Sequence, residues 1–221
     1  MTLNIDIRIL KGMSLFASRD ETRIVITNIC LEIGREHSIF IATDGRRLAV
    51  YRVPTCELEL SGAVDGEWKA PVNILLPVTN WARLPAKKSF EKVAVSVHEK
   101  TLEYRRDGTT LSMKLTEGNY PNWRLIIPDK PPAPLPEFSF RAEYVADAGR
   151  FATIMGMKDK SVRVCGHGNE LEAFSVFCQD PEFYCCVMPV RSSGPIAPPW
   201  ALPAKVDAPP PIPTTTPTPS A

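Results

Sequence analysis

The 221-residue sequence contains no apolar run of about 18 residues, so it offers no transmembrane helix. Its first residues, MTLNIDIRIL, lack a basic region followed by an apolar core and a small-residue cleavage site. No signal peptide is read there, and a cytoplasmic protein is expected. No C-x-x-C pair occurs among the cysteines at 30, 56, 165, 178, 185 and 186. Cys185 and Cys186 stand side by side in an apolar run, which reads as buried reduced thiols rather than a disulfide framework or a zinc site. Three histidines, His37, His98 and His167, have no carboxylate or cysteine partner at ligand spacing. Cys165-Gly166-His167-Gly168 reads as a β-turn. Phosphate-cradling Walker and G-x-G-x-x-G loops are missing, as is a nucleophile elbow. These absences point away from an enzyme, a metal or a cofactor. A net charge of +1 neither requires nor forbids nucleic acid, because binding depends on where charges cluster.

What is present is ordinary for a soluble globular chain, with 44% hydrophobic and 23% charged residues. The length suffices for one or two domains. Of the 22 prolines, ten lie between residues 195 and 219. The segment 192–221 cannot build a core and is read as a disordered or polyproline II tail. Its apolar island, Ile196 to Pro203 around Trp200, is either incidental or a docking segment. The folded part is then residues 1–191.

Within it three stretches share one pattern, β-α-β-β-β. The first has a strand in NIDIRI, a helix-sized LKGMSLFASRDETR with Leu10, Met13 and Phe16 at helical spacing, then strands in IVITNICLEI, SIFIATD and RLAVYRV. The Asp44-Gly45 pair between the last two is a hairpin signal. The second runs from about Glu67 to Pro128, with a short helix in PVTNWARLPAKKS that Pro85 interrupts. The third runs from about Pro136 to Arg191, with a strand in EFSFR, a helix in AEYVADAGRFATIMGMKDK and three further strands. One helix on a few strands is a poor core alone, so the units are expected to join sheet edge to sheet edge with helices on a shared face. The expectation is an α+β fold: a domain of two units over 1–128, a half domain over 129–191, and the tail over 192–221.

Three motifs carry a resemblance. IATDGRRLAVYRV resembles the ATDGHRLA signature of the bacterial DNA polymerase III beta sliding clamp family; LTEGNYPNWRLIIP resembles its DGRFPDYRRVLP segment; FYCCVMPVR resembles its YVVMPMR ending. They occur in the family's order, each at the end of a unit. The family chain has six units, whereas this one reads as three, equivalent to a middle domain and half of the last. Leu125 stands where the family motif has arginine.

The resemblance implies a DNA-clamp-like fold and a non-enzymatic processivity factor that rings duplex DNA without reading its sequence and receives peptides from polymerase and clamp loader. Clamp rings contain twelve units, so three per chain implies a tetrameric ring, with a non-ring protein that competes for clamp-binding motifs, or binds a host clamp, as the alternative. A module with a dead pocket is a third reading. The peptide pocket carried over by the motifs comprises Thr43, Gly45, Arg46, Arg47, Leu48, Pro121, Leu125, Ile126, Cys186, Val187, Met188, Pro189, Val190 and Arg191. Against it stands the plainer reading of a hairpin turn with solvated arginines. Helices facing the hole would present Lys11, Arg19, Arg83, Lys87, Lys88, Arg150 and Lys158 to phosphates. Acidic neighbours such as Asp20, Glu143, Asp147 and Asp159 equally fit a solvated helix face.

Overall fold

Alternation of apolar residues on two faces builds most of the architecture. In the computed structural model, residues 1–62, 72–78, 92–106, 108–131, 133, 139–168 and 171–190 are described. The first unit comprises β1 (Thr2–Asp6), α1 (Ile7–Ser14), β2 (Asn28–Ile33), β3 (His37–Thr43) and β4 (Arg47–Pro54). The second contributes β5 (Val72–Pro77), β6 (Lys92–Val97), β7 (Thr101–Arg106) and β8 (Thr109–Lys114). The third contributes α2 (Ala142–Met155), β9 (Arg163–Cys165), β10 (Phe174–Phe177) and β11 (Phe183–Val187). Among the described residues no helix is long and apolar enough to cross a membrane.

Units one and two join more intimately than edge to edge. β1 leaves its own unit to pair with β6, giving the antiparallel order β1-β6-β7-β8. β5 in turn pairs with β2, so each unit's first strand completes the other's sheet. Units one and three do meet edge to edge: β4 pairs with β11, extending the second sheet to β5-β2-β3-β4-β11-β10-β9.

The period of two then sorts the side chains. Ile29, Leu31, Phe40, Ala42, Ala49, Tyr51, Phe183 and Cys185 face one core with both helices, to which the first sheet adds Leu3, Ile5, Val93, Val95, Leu102 and Tyr104. Cys30, Ile41, Leu48, Val50, Leu75 and Cys186 face the opposite side, under Trp123. The two helices cross where Gly12 lies against Phe151; a Cβ at Gly12 would come within 2.6 Å of that ring. Phe151 stacks on Phe183 at 4.1 Å and meets Tyr51 edge-on at 5.4 Å. Aromatic pairs of this kind add about 0.5–1.5 kcal/mol beyond their buried area.

Helix limits depart from the periodicity reading. α1 starts at Ile7, not Leu10, because the Asp6 carboxylate accepts the Arg8 N–H at 2.8 Å and caps it. It ends at Ser14, which leaves Arg19 in the following loop. α2 ends at Met155 because Gly156, at φ 78°, turns the chain and lets Met157 N–H reach the Ala152 carbonyl at 3.0 Å. Lys158 therefore lies past the helix. The strand read in EFSFR is reduced, among its described residues, to a bridge between Ser139 and Val190. The short helix read in PVTNWARLPAKKS falls mostly on residues 79–91, outside those described, and Arg83, Lys87 and Lys88 with it.

Candidate functional site: the joint between β4 and β11

The Asp-Gly turn at residues 43–47 is determined by its own hydrogen bonds. Thr43 Oγ1 accepts the Gly45 N–H at 3.0 Å and donates to the Arg47 carbonyl at 2.6 Å. Asp44 Oδ1 accepts the N–H groups of Arg46 (2.8 Å) and Arg47 (3.0 Å). Gly45 sits at φ 86°, where side chains are strained, and the Arg23 guanidinium lies 2.7 Å from where its Cβ would be. Met188 N–H then reaches the Arg46 carbonyl at 2.8 Å and ties the turn to the end of β11.

On the side away from the helices this joint forms a cleft of about 250 Å³, lined by Thr43, Gly45, Arg46, Arg47, Leu48, Ile126, Cys186 and Met188. Leu48 and Cys186 are register partners across the joint and share that face. Burial pushes the Cys186 thiol up to about 12, so it acts there as a small apolar group. Ile126 is supplied by the segment 123–127. Trp123 is buried and donates its indole N–H to Glu32 Oε1 at 2.9 Å. Arg124 holds the same carboxylate at 2.7 Å and lies 4.2 Å over the Trp123 ring. Burial alone would raise the Glu32 pKa, but these hydrogen bonds from Arg124 and Trp123 leave it lowered. Large apolar side chains stay exposed at and beside the cleft: Ile126 and Met188 line it, while Leu125 and Val190 are their near neighbours in the chain.

Several residues assigned to the pocket from sequence lie elsewhere. Val187 is one residue out of phase with Cys186 and points into the helix-side core. Pro121, Leu125, Pro189 and Val190 do not line the cleft. Arg191 is outside the described residues. Arg47 borders the cleft, but its guanidinium goes to the helix side for the same reason of parity. There Nη1 meets Asp147 Oδ2 at 2.5 Å, Nε meets Asp44 Oδ2 at 3.1 Å, and Nη2 donates to the Leu15 carbonyl at 2.7 Å. Its planar head also lies 4.6 Å from the Tyr144 ring centre. The Arg47 and Asp147 side chains are each only 9% exposed, which makes this a buried pin between unit one and α2. The second arginine of the turn is thus a joint residue, and Arg46 is the one left at the surface. Arg46 hydrogen-bonds Tyr144, which raises its pKa.

The helix-side cations are more committed than a bare phosphate surface would need. Arg150 is largely exposed but bonds Asp147 Oδ1 at 2.5 Å. Lys11 is half-buried, and burial together with nearby Arg106 lowers its pKa. Arg19 shares a charged hollow with Asp44, Glu143, Asp147 and Arg150. The β-turn read in Cys165-Gly166-His167-Gly168 is instead the end of β9 at Cys165 and a bridge from Gly166 to Ala133, with the chain bending only at Gly168, at φ 88°. His167 is buried between the Lys130 carbonyl (2.9 Å) and Ser175 Oγ (2.8 Å), which fastens the linker to unit three.

Glu32, Trp123, Tyr144 and Asp147 were not read as parts of this site. No sequence signal pairs them with the turn, because Trp123 and Glu32 are 91 residues apart and Arg47 and Asp147 are 100 apart.

Strand-exchanged β-α-β-β-β units, with helices on one face and a shallow cleft on the other, define a protein of the DNA-clamp class. The family described as DNA polymerase III beta subunit, central domain, matches residues 7–122, more than half of the chain. The chain belongs to that beta sliding clamp family. It is 27% identical over 125 residues to the beta sliding clamp of Synechocystis sp., a match spanning 54% of this chain and 32% of that protein. Among solved structures, 87% of the chain superposes on 64% of the Bacillus subtilis DNA polymerase sliding clamp, with a TM-score of 0.63 and 16% identity. The Pseudomonas aeruginosa clamp matches 87% of the chain with 67% of its own length, at TM-score 0.61 and 12% identity.

Proposed function

We propose that the chain is a reduced sliding clamp. It acts without enzymatic chemistry in the cytoplasm, tethering a DNA polymerase to duplex DNA as a homo-oligomeric ring and receiving polymerase and loader peptides in the β4–β11 cleft. The observation that carries this reading is the cleft itself. Its floor is apolar, its edges keep Ile126 and Met188 exposed, and the Arg46 guanidinium keeps donors beyond its bond to Tyr144. That combination suits a short peptide with an aromatic or leucine anchor. Three units per chain and twelve per ring give four copies. A domain of two strand-exchanged units over 1–128 and a half domain over 129–191 complete the reading. Lys11, Arg19, Arg150 and Lys158, with Arg83, Lys87 and Lys88, would face phosphates, each contact weak and salt-dependent.

The Arg150–Asp147 pair and the partial burial of Lys11 on the helix side favour one alternative, a non-ring protein that competes for clamp-binding motifs or binds a host clamp. Light scattering on a sizing column at several concentrations separates the two: four copies support the ring, and a monomer at every concentration removes it. Fluorescence polarisation with a labelled Gln-x-x-Leu-Phe peptide tests the cleft. Met188→Glu is expected to abolish binding with the melting temperature unchanged, and a wild-type chain that does not bind would leave the cleft without this role.

A further inference from the structure

The sheet that ends at β8 is open. Among the described residues no strand pairs with its outer edge, although β8 is six residues long, unbulged and free of proline. Such an edge is a template for another strand, and proteins blunt it unless it is used. Its one blunting residue is Lys114, at the very end.

The β4–β11 joint shows what such an edge pairs with in this fold. Both are the last strands of their units, and they run antiparallel with the first residue of each opposite the fifth of the other: Arg47 with Val187, and Tyr51 with Phe183. The local twofold therefore passes through the third pair, Ala49 and Cys185, whose side chains face the helices. Both edges of β4 and both edges of β11 are occupied. Along the chain the joints alternate, with first strands exchanged between units two and one and last strands paired between units one and three. The next joint beyond β8 must be of the last-strand kind, and among the described residues the last strand with a vacant edge is β8 itself.

We infer that β8 pairs antiparallel with β8 of a second copy across a true twofold axis. This rests on the ring reading above and adds that the joint is twofold rather than head-to-tail. Parity requires the axis to pass through a helix-facing residue, and Leu111 is the one at mid-strand. Leu111 is half-buried, whereas Ala49 at the matching place in the completed joint is fully buried. In this register Thr110 faces Ser112 of the second copy. The two Lys114 ammonium groups fall six residues apart, about 20 Å along the strands, beyond a Debye length of about 8–10 Å. The lysine thus does not oppose this pairing.

The test uses the full chain carrying Cys56→Ser to remove the exposed thiol. Leu111→Cys places a thiol on the axis, and Thr110→Cys/Ser112→Cys serves if the first variant folds poorly. Mild oxidation, a non-reducing gel and light scattering are run together. A single-site variant that oxidises mostly to covalent dimer, with the parent staying monomeric on the gel, supports the twofold joint. A tetramer in which neither variant self-links, but a Ser112→Cys chain links to a Val164→Cys chain, overturns the twofold joint and leaves the ring standing. A monomer at every concentration removes both.

Discussion

Asp147→Ala tests the buried pin most directly. The substitution removes the carboxylate that holds Arg47 at 2.5 Å and leaves a guanidinium only 9% exposed with Asp44 and the Leu15 carbonyl as remaining partners. Removing one member of a buried ion pair costs about 3–5 kcal/mol. The surviving bonds put this case near the lower end, about 3 kcal/mol. For a folded region of this size each kcal/mol moves the melting temperature by about 2–4 °C, so a drop of about 6–12 °C is expected. The loss should be local in origin, because the pin ties β4 to α2. Amide exchange should rise first in β11 and α2 and leave β6 and β7 protected. Arg47→Met with Asp147→Leu removes both charges together and is expected to regain most of the loss. A melting temperature within about 2 °C of wild type for Asp147→Ala would refute the pin as an energetic element.

Gly12→Ala forces a Cβ to 2.6 Å from Phe151, so a loss of about 1–3 kcal/mol is expected in chemical denaturation, partly relieved by Phe151→Leu. Under native conditions a thiol reagent at pH 8 should modify exposed Cys56 first, while Cys30 and Cys186, both pushed up to about 12 by burial, react only on unfolding; rapid labelling of Cys186 would contradict the closed floor of the cleft. The Glu32 carboxyl, lowered from 4.5 by Arg124 and Trp123 against its own burial, stabilises the fold above its unfolded pKa; stability should fall as pH drops below about 4.5, and Glu32→Gln should flatten that slope in acid melts followed by Trp fluorescence.

The first unit's strands and helix, the α2 helix, the later strands of units two and three and the cleft's central residues were legible because they rest on local signals. Short apolar runs mark β2, β3 and β4, and Asp44-Gly45 marks the turn. Strand exchange was not legible, since nothing in NIDIRI says which unit's sheet the strand will join. A period-two pattern specifies a face, not a neighbour. Parity would have separated Cys186 from Val187 and Leu48 from Arg47, but it needs the strand register to say which face is which. The helix ends were missed for another reason: periodicity cannot see a cap, and Asp6 and Gly156 set the boundaries through hydrogen bonds and backbone dihedrals. Long-range pairs such as Arg47–Asp147 leave no local trace.

Placing Arg47 on the helix side also bears on the cleft. Its floor is shared across a joint, with Leu48 from unit one beside Cys186 from unit three, and Met188 positioned by the Arg46 carbonyl. None of these residues makes a cleft by itself. The surface exists only while β11 is seated on β4, and what seats it lies on the opposite face: the aromatic stack of Phe151 and Phe183, the close approach at Gly12, and the Arg47–Asp147 pin. Loss of the pin should therefore weaken peptide binding without any change to a cleft-lining side chain, in proportion to the fraction of molecules whose third unit has left its seat. Peptide affinity that is unchanged in Asp147→Ala at temperatures where β11 amides exchange freely would break that coupling, and with it the argument that the cleft is a product of the joint.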